Sequence, residues 1–450
     1  MSEKLSNKIV FAYGFGEFAL GFLTTMGVQY ISFFLTDAAL IAPAVVATIL
    51  LIGRIADTVD VPIIGIIVEK SNLPWGKYRS WLFLAAPLIV IFNMLMFTNF
   101  NVSTPVKIFY LSAAYILGYV FVNFCSTGRF ALLPTFTSDQ NERAKLASAR
   151  GQGGSLGQIV RGLITVPLIG LLGGGNDAKG YFYTVTVYGI IVIIGMYWLA
   201  SLAKDYDKPG AQKASSQRVT LKDMLTQVAT NKPLLILMIS NTVILTATNI
   251  LTGFNMYYFR YVVGSLLMMS IYFPISFGGG FLGNAAAQFL AKRFDKKATY
   301  NIGIGFWFLG MLLVYLLAGS NAYLFIAFVT VAQFGFGISN AVVPAFFSDT
   351  ADYGEWKTGK SSRAVNMGLV IFPIKLGVLI GGSIAAFALA YIGFVANTQD
   401  PVIINGIRTM AAVLPMVVSI LAAVIMYFYP LNREKMESIQ QELKNRKGVA

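Results

Sequence analysis

Charged residues, histidine and cysteine are scarce in this chain of 450 residues. Only 12% of the residues are charged and 56% are hydrophobic, whereas a soluble protein would carry roughly twice that share of charge. The chain has no histidine, which excludes a histidine metal site, a histidine-containing catalytic triad and an imidazole proton relay. Its single cysteine, Cys125, excludes an intramolecular disulfide framework. The composition therefore predicts an integral membrane protein.

Long apolar runs fill most of the chain. A spanning helix needs about 20 mostly apolar residues, and twelve runs are long enough. A polar linker, 204–232, divides them six and six, so we expect an all-α protein with six-helix bundles over 1–203 and 233–430 and a tail over 431–450. The linker segment LKDMLTQVA is typical of a short surface helix. The runs are 9–36, 43–69, 80–100, 106–134, 143–173, 181–203, 233–262, 266–291, 298–319, 322–346, 363–392 and 402–429.

Lysine and arginine are concentrated in alternate loops. They flank the turn between runs 2 and 3, follow runs 4, 8 and 10, and enrich the linker and the tail, whereas the loops AGSN and VANTQDP have none. The positive-inside rule places the basic loops in the cytoplasm. We therefore expect both termini and the linker to be cytoplasmic. The net charge of +14 then reflects topology, and no nucleic-acid partner is expected.

A short repeat relates the two halves of the chain. PTFTSD (134–139) and PAFFSD (344–349) lie 210 residues apart, and each precedes a charged loop and an Arg-Ala pair that opens the next run. Repeated helical halves are typical of secondary transporters, whose substrate site lies near the membrane midplane between the repeats. The repeat therefore favours a transporter.

Three charges lie inside the second apolar run. Arg54, Asp57 and Asp60 are spaced i, i+3 and i+6, so they share one stripe of a helix. Two carboxylates one turn apart repel each other unless a cation lies between them or one of them is protonated. The alternative, a static salt bridge from Arg54 to one aspartate, leaves the other carboxylate unexplained.

The same pattern predicts a cation site. Na⁺ prefers hard oxygen ligands, and a shared proton suits the same pair of carboxylates, so either ion fits Asp57 and Asp60. Asn123, at mid-depth in run 4, offers an amide oxygen to this site or else an interhelical hydrogen bond that only packs two helices. No other metal and no cofactor is expected.

Further charges lie deep in other runs, where they usually face a cavity or a partner. We expect Glu17 to face the cavity and bind substrate hydroxyls, or to form a buried pair with Arg150 or Lys375. Arg150, among small residues, is suited to donate to a substrate oxygen, or it reaches the cytoplasmic surface. Lys375, near the midplane, is expected to pair with Asp57, Asp60 or Glu17. Arg161 is assigned mainly a structural role.

The chain contains four motifs: RIADTVDVPIIG, WGKYRSW, SDQNERAKLASARG and SDTADYGEWKTGKSSRA. Together they resemble the glycoside–pentoside–hexuronide cation symporters of the major facilitator superfamily. The resemblance covers nearly the whole chain, and IGFVANTQDPVIINGIRTMAAVLP resembles the glucuronide-transporting branch. It implies twelve helices in two bundles, alternating access, and Na⁺- or H⁺-driven uptake of a sugar or glycoside across the bacterial cytoplasmic (inner) membrane.

The resemblance also implies roles for individual residues. The first acid of the family's second span matches Asp57, but its second acid falls on Val61, next to Asp60, so the choice between Na⁺ and H⁺ stays open. Arg150 and Lys375 match the cavity arginine and lysine of the family. The gate-side acids after run 10 match Asp349, Asp352 and Glu355, and the basic groups expected to latch one state with such acids are Lys77, Arg79 and Arg363.

The sugar-binding positions depart from the melibiose-transporting branch. Its two sugar-binding aspartates fall on Gly21 and Ser126, and its sugar-facing tryptophan falls on Phe130. Glu17 lies one turn before Gly21 on the same helix face, and Arg129 has no counterpart in that branch. The loss of two acids and the gain of an arginine favour an anionic sugar, such as a uronide or a sulfonated sugar, over a neutral glycoside or pentoside.

Two other functions are alternatives. A lysolipid or drug carrier on the same fold would have a mostly apolar cavity, which the deep polar residues argue against. A non-transporting membrane sensor would need neither Asp57 nor Asp60. No nucleophile–base pair or metal cluster in the sequence indicates an enzyme. We expect a monomer whose partners are the sugar substrate and the lipid bilayer.

Overall fold

The helices account for all regular secondary structure in the computed structural model, which describes residues 5–137, 139–208, 221–359, 366 and 369–448. Eleven of them are long and apolar enough to cross a membrane. The predicted all-α membrane protein is confirmed to that extent. The helices are α1 Asn7–Ala38, α2 Pro43–Lys70, α3 Arg79–Met96, α4 Thr104–Phe136, α5 Gln140–Gly173, α6 Asp177–Leu202, α7 Leu221–Thr230, α8 Lys232–Val262, α9 Leu266–Arg293, α10 Lys296–Ala318, α11 Ala322–Thr358, α12 Ile371–Tyr391, α13 Pro401–Tyr427 and α14 Arg433–Gly448.

Helix α2 is long enough to span a bilayer but is not among those eleven. It has 28 residues, and any 18-residue stretch of it contains Arg54, Asp57 and Asp60. The three charges that make this helix a candidate site are therefore also what separates it from the apolar helices.

The chain forms two compact units, the first mainly Met1–Ser215 and the second mainly the rest of the chain. In the first unit, α1 packs on α5 and α6, and α3 packs on α4. In the second unit, α10 packs on α11, and α8 packs on α12 and α13. The short helix predicted in the linker is α7.

Helices α1 and α5 meet almost backbone to backbone. A Cβ atom added to Gly153 would lie 2.0 Å from the carbonyl oxygen of Gly14, and one added to Gly14 would lie 2.6 Å from that of Ala149. Small residues permit such an approach, which matters in a bilayer because lipid tails provide little hydrophobic driving force for helix association. The contact presents Glu17, one turn beyond Gly14, to α5, where its Cγ lies 3.4 Å from the Cβ position of Gly154.

The predicted loop after run 10 is wrong. Helix α11 continues beyond residue 346 to Thr358, so Asp349, Asp352 and Glu355 lie on a helix. Their polarity suggests a loop, but no proline follows Pro344 before the helix ends. The end comes at Gly359, whose φ of +70° is the left-handed conformation that commonly closes a helix.

Asp207, in the predicted linker, caps helix α3 from a distant part of the chain. Its carboxylate accepts hydrogen bonds from the backbone amides of Lys77 at 3.2 Å, Tyr78 at 2.7 Å and Arg79 at 2.7 Å. The first amides of a helix have no partner within the helix, and a negative charge is favourable at that end. Asp207 is 2% exposed, so the capping carboxylate is buried as well as fully used.

We expect Asp207→Ala to destabilise the first unit by about 1–3 kcal/mol, because it removes the acceptor of one buried and two partly buried amides. The measurement is thermal unfolding of the purified protein in detergent. Asp205→Ala, at an exposed position two residues earlier, is the matched control. Equal melting temperatures for the two variants would show that the cap contributes little.

Candidate functional site

Asn123 on α4 connects the two aspartates of α2. Its amide nitrogen Nδ2 donates to Asp57 Oδ1 at 2.7 Å and to Asp60 Oδ1 at 2.8 Å. The structure thus brings the three predicted cation-site residues together. It differs from the expectation in one respect: the amide nitrogen, not the amide oxygen, faces the carboxylates. A polar N–H₂ group offers two hydrogens, one to each carboxylate, which offsets part of their mutual repulsion.

Arg54 is bound chiefly by groups other than the aspartates. Its Nη2 donates to the carbonyl oxygen of Gly27 at 3.0 Å and to the hydroxyl of Tyr119 at 2.9 Å, and its Cζ lies 4.1 Å from the centre of the Tyr119 ring. The distance from Nη1 to Asp57 Oδ2 is 3.8 Å, which is too long for a hydrogen bond. Gly27 belongs to a π-helical stretch, Met26–Tyr30, and such stretches are frequent at functional sites.

Two tyrosines of α4 belong to this cluster although neither is a predicted site residue. Tyr119 binds Arg54, and the Tyr115 ring occupies the space beside Gly53, where an added Cβ would lie 2.3 Å from it. Tyr115, Tyr119 and Asn123 follow one another at intervals of four and so share a stripe of α4. That periodicity, matching the charged stripe of α2, is the signal in the sequence that identifies them.

Glu17 forms an ion pair with Arg129. Arg129 Nη2 and Glu17 Oε2 are 2.5 Å apart, and Arg129 is 1% exposed. The predicted alternative in which Glu17 pairs with Arg150 is therefore wrong, because the partner of Glu17 is Arg129. Nε and Nη1 of Arg129 are buried and have no hydrogen-bond partner among the described residues. Because a guanidinium carries five N–H donors, Arg129 retains capacity for a second anionic or polar group.

The ring of Phe130 lies close to two guanidinium groups. Its ring centre is 5.2 Å from Arg129 Cζ and 5.0 Å from Arg150 Cζ. The ring is exposed, and Ser126 lies one turn before it on α4, partly buried. The structure thus brings Glu17, Arg129, Phe130 and Arg150 into one group. Because it contains two guanidinium groups and one carboxylate, the group has a surplus of positive charge.

Gly21 provides space for a neighbouring side chain. A Cβ atom at this position would lie 2.3 Å from Nη1 of Arg161 on α5. The position that carries a sugar-binding acid in the melibiose-transporting branch therefore borders a guanidinium in this chain. Lys375 lies on α12 in the second unit and is partly buried. Its pairing with an acid of the first unit stays a prediction.

Two of the predicted gate residues pair within their own units. In the first unit, Lys77 Nζ is 2.8 Å from Glu69 Oε1. The hydroxyl of Tyr78 donates to Glu69 Oε2 at 3.0 Å, and burial together with this bond raises the pKa of Tyr78. In the second unit, Lys296 Nζ is 2.5 Å from Asp349 Oδ2.

Three further predicted gate residues, Arg79, Asp352 and Glu355, lie within the described residues. Arg79 Nη1 is 3.5 Å from the carbonyl oxygen of Ala200, and Gln440 on α14 donates to Asp352 Oδ2 at 3.3 Å. Glu355 is partly buried on α11. Arg363 lies outside the described residues. A latch between the two units by these groups stays a prediction.

The family model described as MFS/sugar transport protein, the family of glycoside–pentoside–hexuronide-type sugar symporters, matches residues 12–433. The chain belongs to this family. The resemblance drawn from the sequence motifs is thereby confirmed, and it identifies the protein as a multi-pass membrane transporter of the sugar symporter family. The description of this family is that of a transporter.

Relatives of the family align with this chain over nearly all of its length. It is 30% identical to the "Uncharacterized symporter YjmB" of Bacillus subtilis, over 98% of this chain and 96% of that protein. It is 28% identical to the "Isoprimeverose transporter" of Lactiplantibacillus pentosus, over 94% of this chain and 88% of that protein. It is 28% identical to the "Glucuronide carrier protein homolog" of Escherichia coli, over 100% and 98%.

Solved structures share the fold at much lower identity. The nucleoside transporter NupG aligns with a TM-score of 0.68 at 15% identity, over 94% of this chain and 100% of that one. The D-xylose-proton symporter aligns with a TM-score of 0.68 at 13% identity, over 94% and 98%. These similarities show that the chain shares the fold of these two proteins.

We expect Glu17 and Arg129 to be energetically coupled. Glu17→Gln and Arg129→Gln should each lower the melting temperature, because each leaves one charge without its partner, and the double variant should lose less than the sum of the two. A coupling of roughly 1–3 kcal/mol is expected from a thermal double-mutant cycle. The exposed pair Arg433–Glu437, whose side chains are 74% and 64% exposed, is the control and should show coupling near zero. Simple additivity at Glu17 and Arg129 would contradict the coupling.

Proposed function

We propose that the protein is a secondary active symporter that couples Na⁺ or H⁺ to the uptake of a sugar or glycoside by alternating access. Membership of the sugar symporter family supports the transport part of this proposal. The observation that carries the coupling part is the pair of carboxylates on α2 bridged by Asn123. Two acids on one helix stripe, joined by one amide, form a group that a monovalent cation or a proton would stabilise.

The proposal includes α2 as a twelfth membrane helix. Its 28 residues are sufficient to span a bilayer, and its apolar residues flank the charged stripe on both sides. With twelve spans, both termini lie on the same side of the membrane, and the basic loops make that side the cytoplasm of a bacterial inner membrane. The two units are then the six-helix bundles of 1–203 and 233–430.

The charge of the first unit supports an anionic substrate. Arg129 has two buried nitrogens without acceptors among the described residues. The exposed Phe130 ring, which lies close to Arg129 and Arg150, offers an apolar surface to a sugar. Carboxylates and sulfonates accept paired hydrogen bonds from a guanidinium. The similarity to a protein named as a glucuronide carrier homolog agrees with a uronide. The similarity to a protein named as an isoprimeverose transporter keeps a neutral glycoside as the second candidate.

Two alternative functions have less support. A lysolipid or drug carrier has no need of the charged group formed by Glu17, Arg129 and Arg150. A non-transporting sensor has no need of two bridged carboxylates in a membrane helix, where each ionised group is costly. We also propose that the protein acts without a cofactor, as a monomer, and that its coupling ion contacts Asp57, Asp60 and Asn123.

Coupled uptake should depend on the two aspartates. In proteoliposomes that contain the purified full-length protein, we expect sugar accumulation driven by an imposed Na⁺ or pH gradient. Asp57→Asn should abolish gradient-driven accumulation while exchange across the membrane in the absence of a gradient persists, because the variant loses a charge of the cation site but not the sugar site. Asp177→Asn, in the first turn of α6, is the control for loss of a carboxylate. No gradient-driven uptake by the unmodified protein across a broad panel of glycosides would refute the symporter.

The anionic preference should depend on Arg129. Arg129→Gln is expected to raise the KM for a glucuronide about 10- to 100-fold, since a charge-assisted hydrogen bond is lost. The KM for the matched neutral glucoside should change less than about threefold. Glu17→Gln serves as the comparison because it removes the partner of Arg129 while keeping the guanidinium. Equal losses for the two sugars would argue against recognition of an anion at Arg129.

A further inference from the structure

Arg161 lies in the space left open by two glycines, Gly21 and Gly157. A Cβ added to Gly21 on α1 would lie 2.3 Å from its Nη1, and one added to Gly157 on α5 would lie 2.4 Å from the same atom. Nη1 donates to the carbonyl oxygen of Phe18 at 3.3 Å, and Cζ lies 5.5 Å from the centre of the Phe22 ring. Any larger side chain at either glycine would force the guanidinium to move. The two glycines therefore hold Arg161 at the junction of α1 and α5.

The guanidinium of Arg161 forms no ion pair with a carboxylate of the described residues, although the negative charge of Glu17 acts on it electrostatically. The residue is 7% exposed, and its buried Nε has no hydrogen-bond partner among the described residues. Within that part of the chain, no carboxylate oxygen lies within 4.0 Å of its guanidinium nitrogens. A charge at this depth of a membrane protein is costly, and such residues generally face a bundle interior or cavity, with a partner or a ligand. A purely structural arginine would be expected to have its donors satisfied by the protein.

Arg161 and Arg129 approach the same face of α1. Arg129 binds Glu17, and Arg161 contacts Gly21, which follows Glu17 by four residues, or about one helical turn. Among the described residues, each of the two guanidinium groups has at least one buried nitrogen without an acceptor. Glu17 carries a single negative charge, so it can balance only one of the two positive charges. An anion bound beside α1 would therefore compensate the second charge and use donors that have no acceptor in the described part of the chain.

We propose that Arg161 is a specificity-determining residue that binds the carboxylate or sulfonate of an anionic sugar together with Arg129. This inference rests on the proposed sugar transport and names the group that selects its substrate class. Gly21 and Gly157 are positioning residues, because they act only by leaving room for the guanidinium. A neutral sugar gains no charge-assisted bond from Arg161, so the residue discriminates between sugars that differ only in that group.

The test uses two probes that differ at one position, 4-nitrophenyl β-D-glucuronide and 4-nitrophenyl β-D-glucoside. Their Kd values are measured by titration calorimetry on the purified full-length protein, with uptake into proteoliposomes as a second measurement. Arg161→Gln should weaken glucuronide binding about 10- to 100-fold and change glucoside binding less than about threefold. Arg161→Lys should give an intermediate loss for the glucuronide, because it keeps the charge but lacks the fork of a guanidinium.

A substitution at one of the two glycines beside Arg161 tests the same proposal without changing Arg161. Gly21→Ala should weaken glucuronide binding while Arg161 itself is unchanged, and Gly21→Ala combined with Arg161→Gln should be no weaker than Arg161→Gln alone. Gly170→Ala on α5 is the control, because a Cβ at this position meets nothing within 4 Å. If Gly21→Ala does not fold, Arg161→Gln and Arg161→Lys still decide the question.

The outcomes separate the specificity of Arg161 from transport itself. Equal weakening of both probes by Arg161→Gln, or no weakening of either, would overturn the role of Arg161 and leave gradient-driven uptake intact. Failure of the unmodified protein to bind the glucuronide, with uptake of the glucoside, would overturn the role of Arg161 but keep the symporter. Absence of gradient-driven uptake of every sugar would refute the proposed function, and a selective effect of Arg161→Gln on glucuronide binding would still support the anion site.

Discussion

The cost of an ionised side chain in a membrane governs the organisation of the first unit. Water cannot solvate such a group fully, so its charge requires an opposite charge, a hydrogen-bond donor or an aromatic face. The amide of Asn123 donates hydrogen bonds to Asp57 and Asp60, and Arg129 forms an ion pair with Glu17. Arg54 donates hydrogen bonds to a backbone carbonyl and to the hydroxyl of Tyr119, and its guanidinium lies over the Tyr119 ring. The positions of α1, α2 and α4 are thereby linked through their polar groups as well as through apolar packing.

The two polar groups differ in the sign of their charge. The group on α2 and α4 contains two carboxylates and one arginine, which suits a cation. The group on α1, α4 and α5 contains Glu17 with Arg129, Arg150 and Arg161, which suits an anion. Both groups involve α1 and α4, since Gly27 of α1 accepts a hydrogen bond from Arg54 and Arg129 of α4 binds Glu17 of α1. This arrangement supports the proposed symport of a cation with an anionic sugar, because the two ligands would contact the same pair of helices.

Spacing in the sequence predicts contacts within one helix well and contacts between helices poorly. The stripe of Arg54, Asp57 and Asp60 follows from helical periodicity alone. The pair of Glu17 with Arg129 joins residues that are 112 positions apart, and no periodicity relates them. The acid-rich segment after residue 346 looks like a loop, because a charged sequence is common both to loops and to helices that extend beyond the membrane.

Spacing in the sequence also does not predict which side chain fills the space beside a glycine. The absence of an acid at Gly21 can be read from the sequence, but the guanidinium that fills the space cannot, because Arg161 comes from another helix and reaches it only where two glycines coincide. Asp207 is similar, since its role depends on the amides of residues about 130 positions earlier. Family motifs predicted the fold because they record the whole arrangement of helices, including contacts that spacing does not reveal.

The amide of Asn123 would also compete with a coupling ion for the carboxylates of Asp57 and Asp60. Its nitrogen donates to the carboxylate oxygens that a coupling ion would use, at N···O distances of 2.7 and 2.8 Å. An ion that binds there must first rotate or displace the amide, so its net affinity is the difference between two interactions of similar kind. In the proposed symport, this competition would lower the affinity for the ion and would lessen the electrostatic cost of the ion-free state, because the amide partly compensates the two carboxylates.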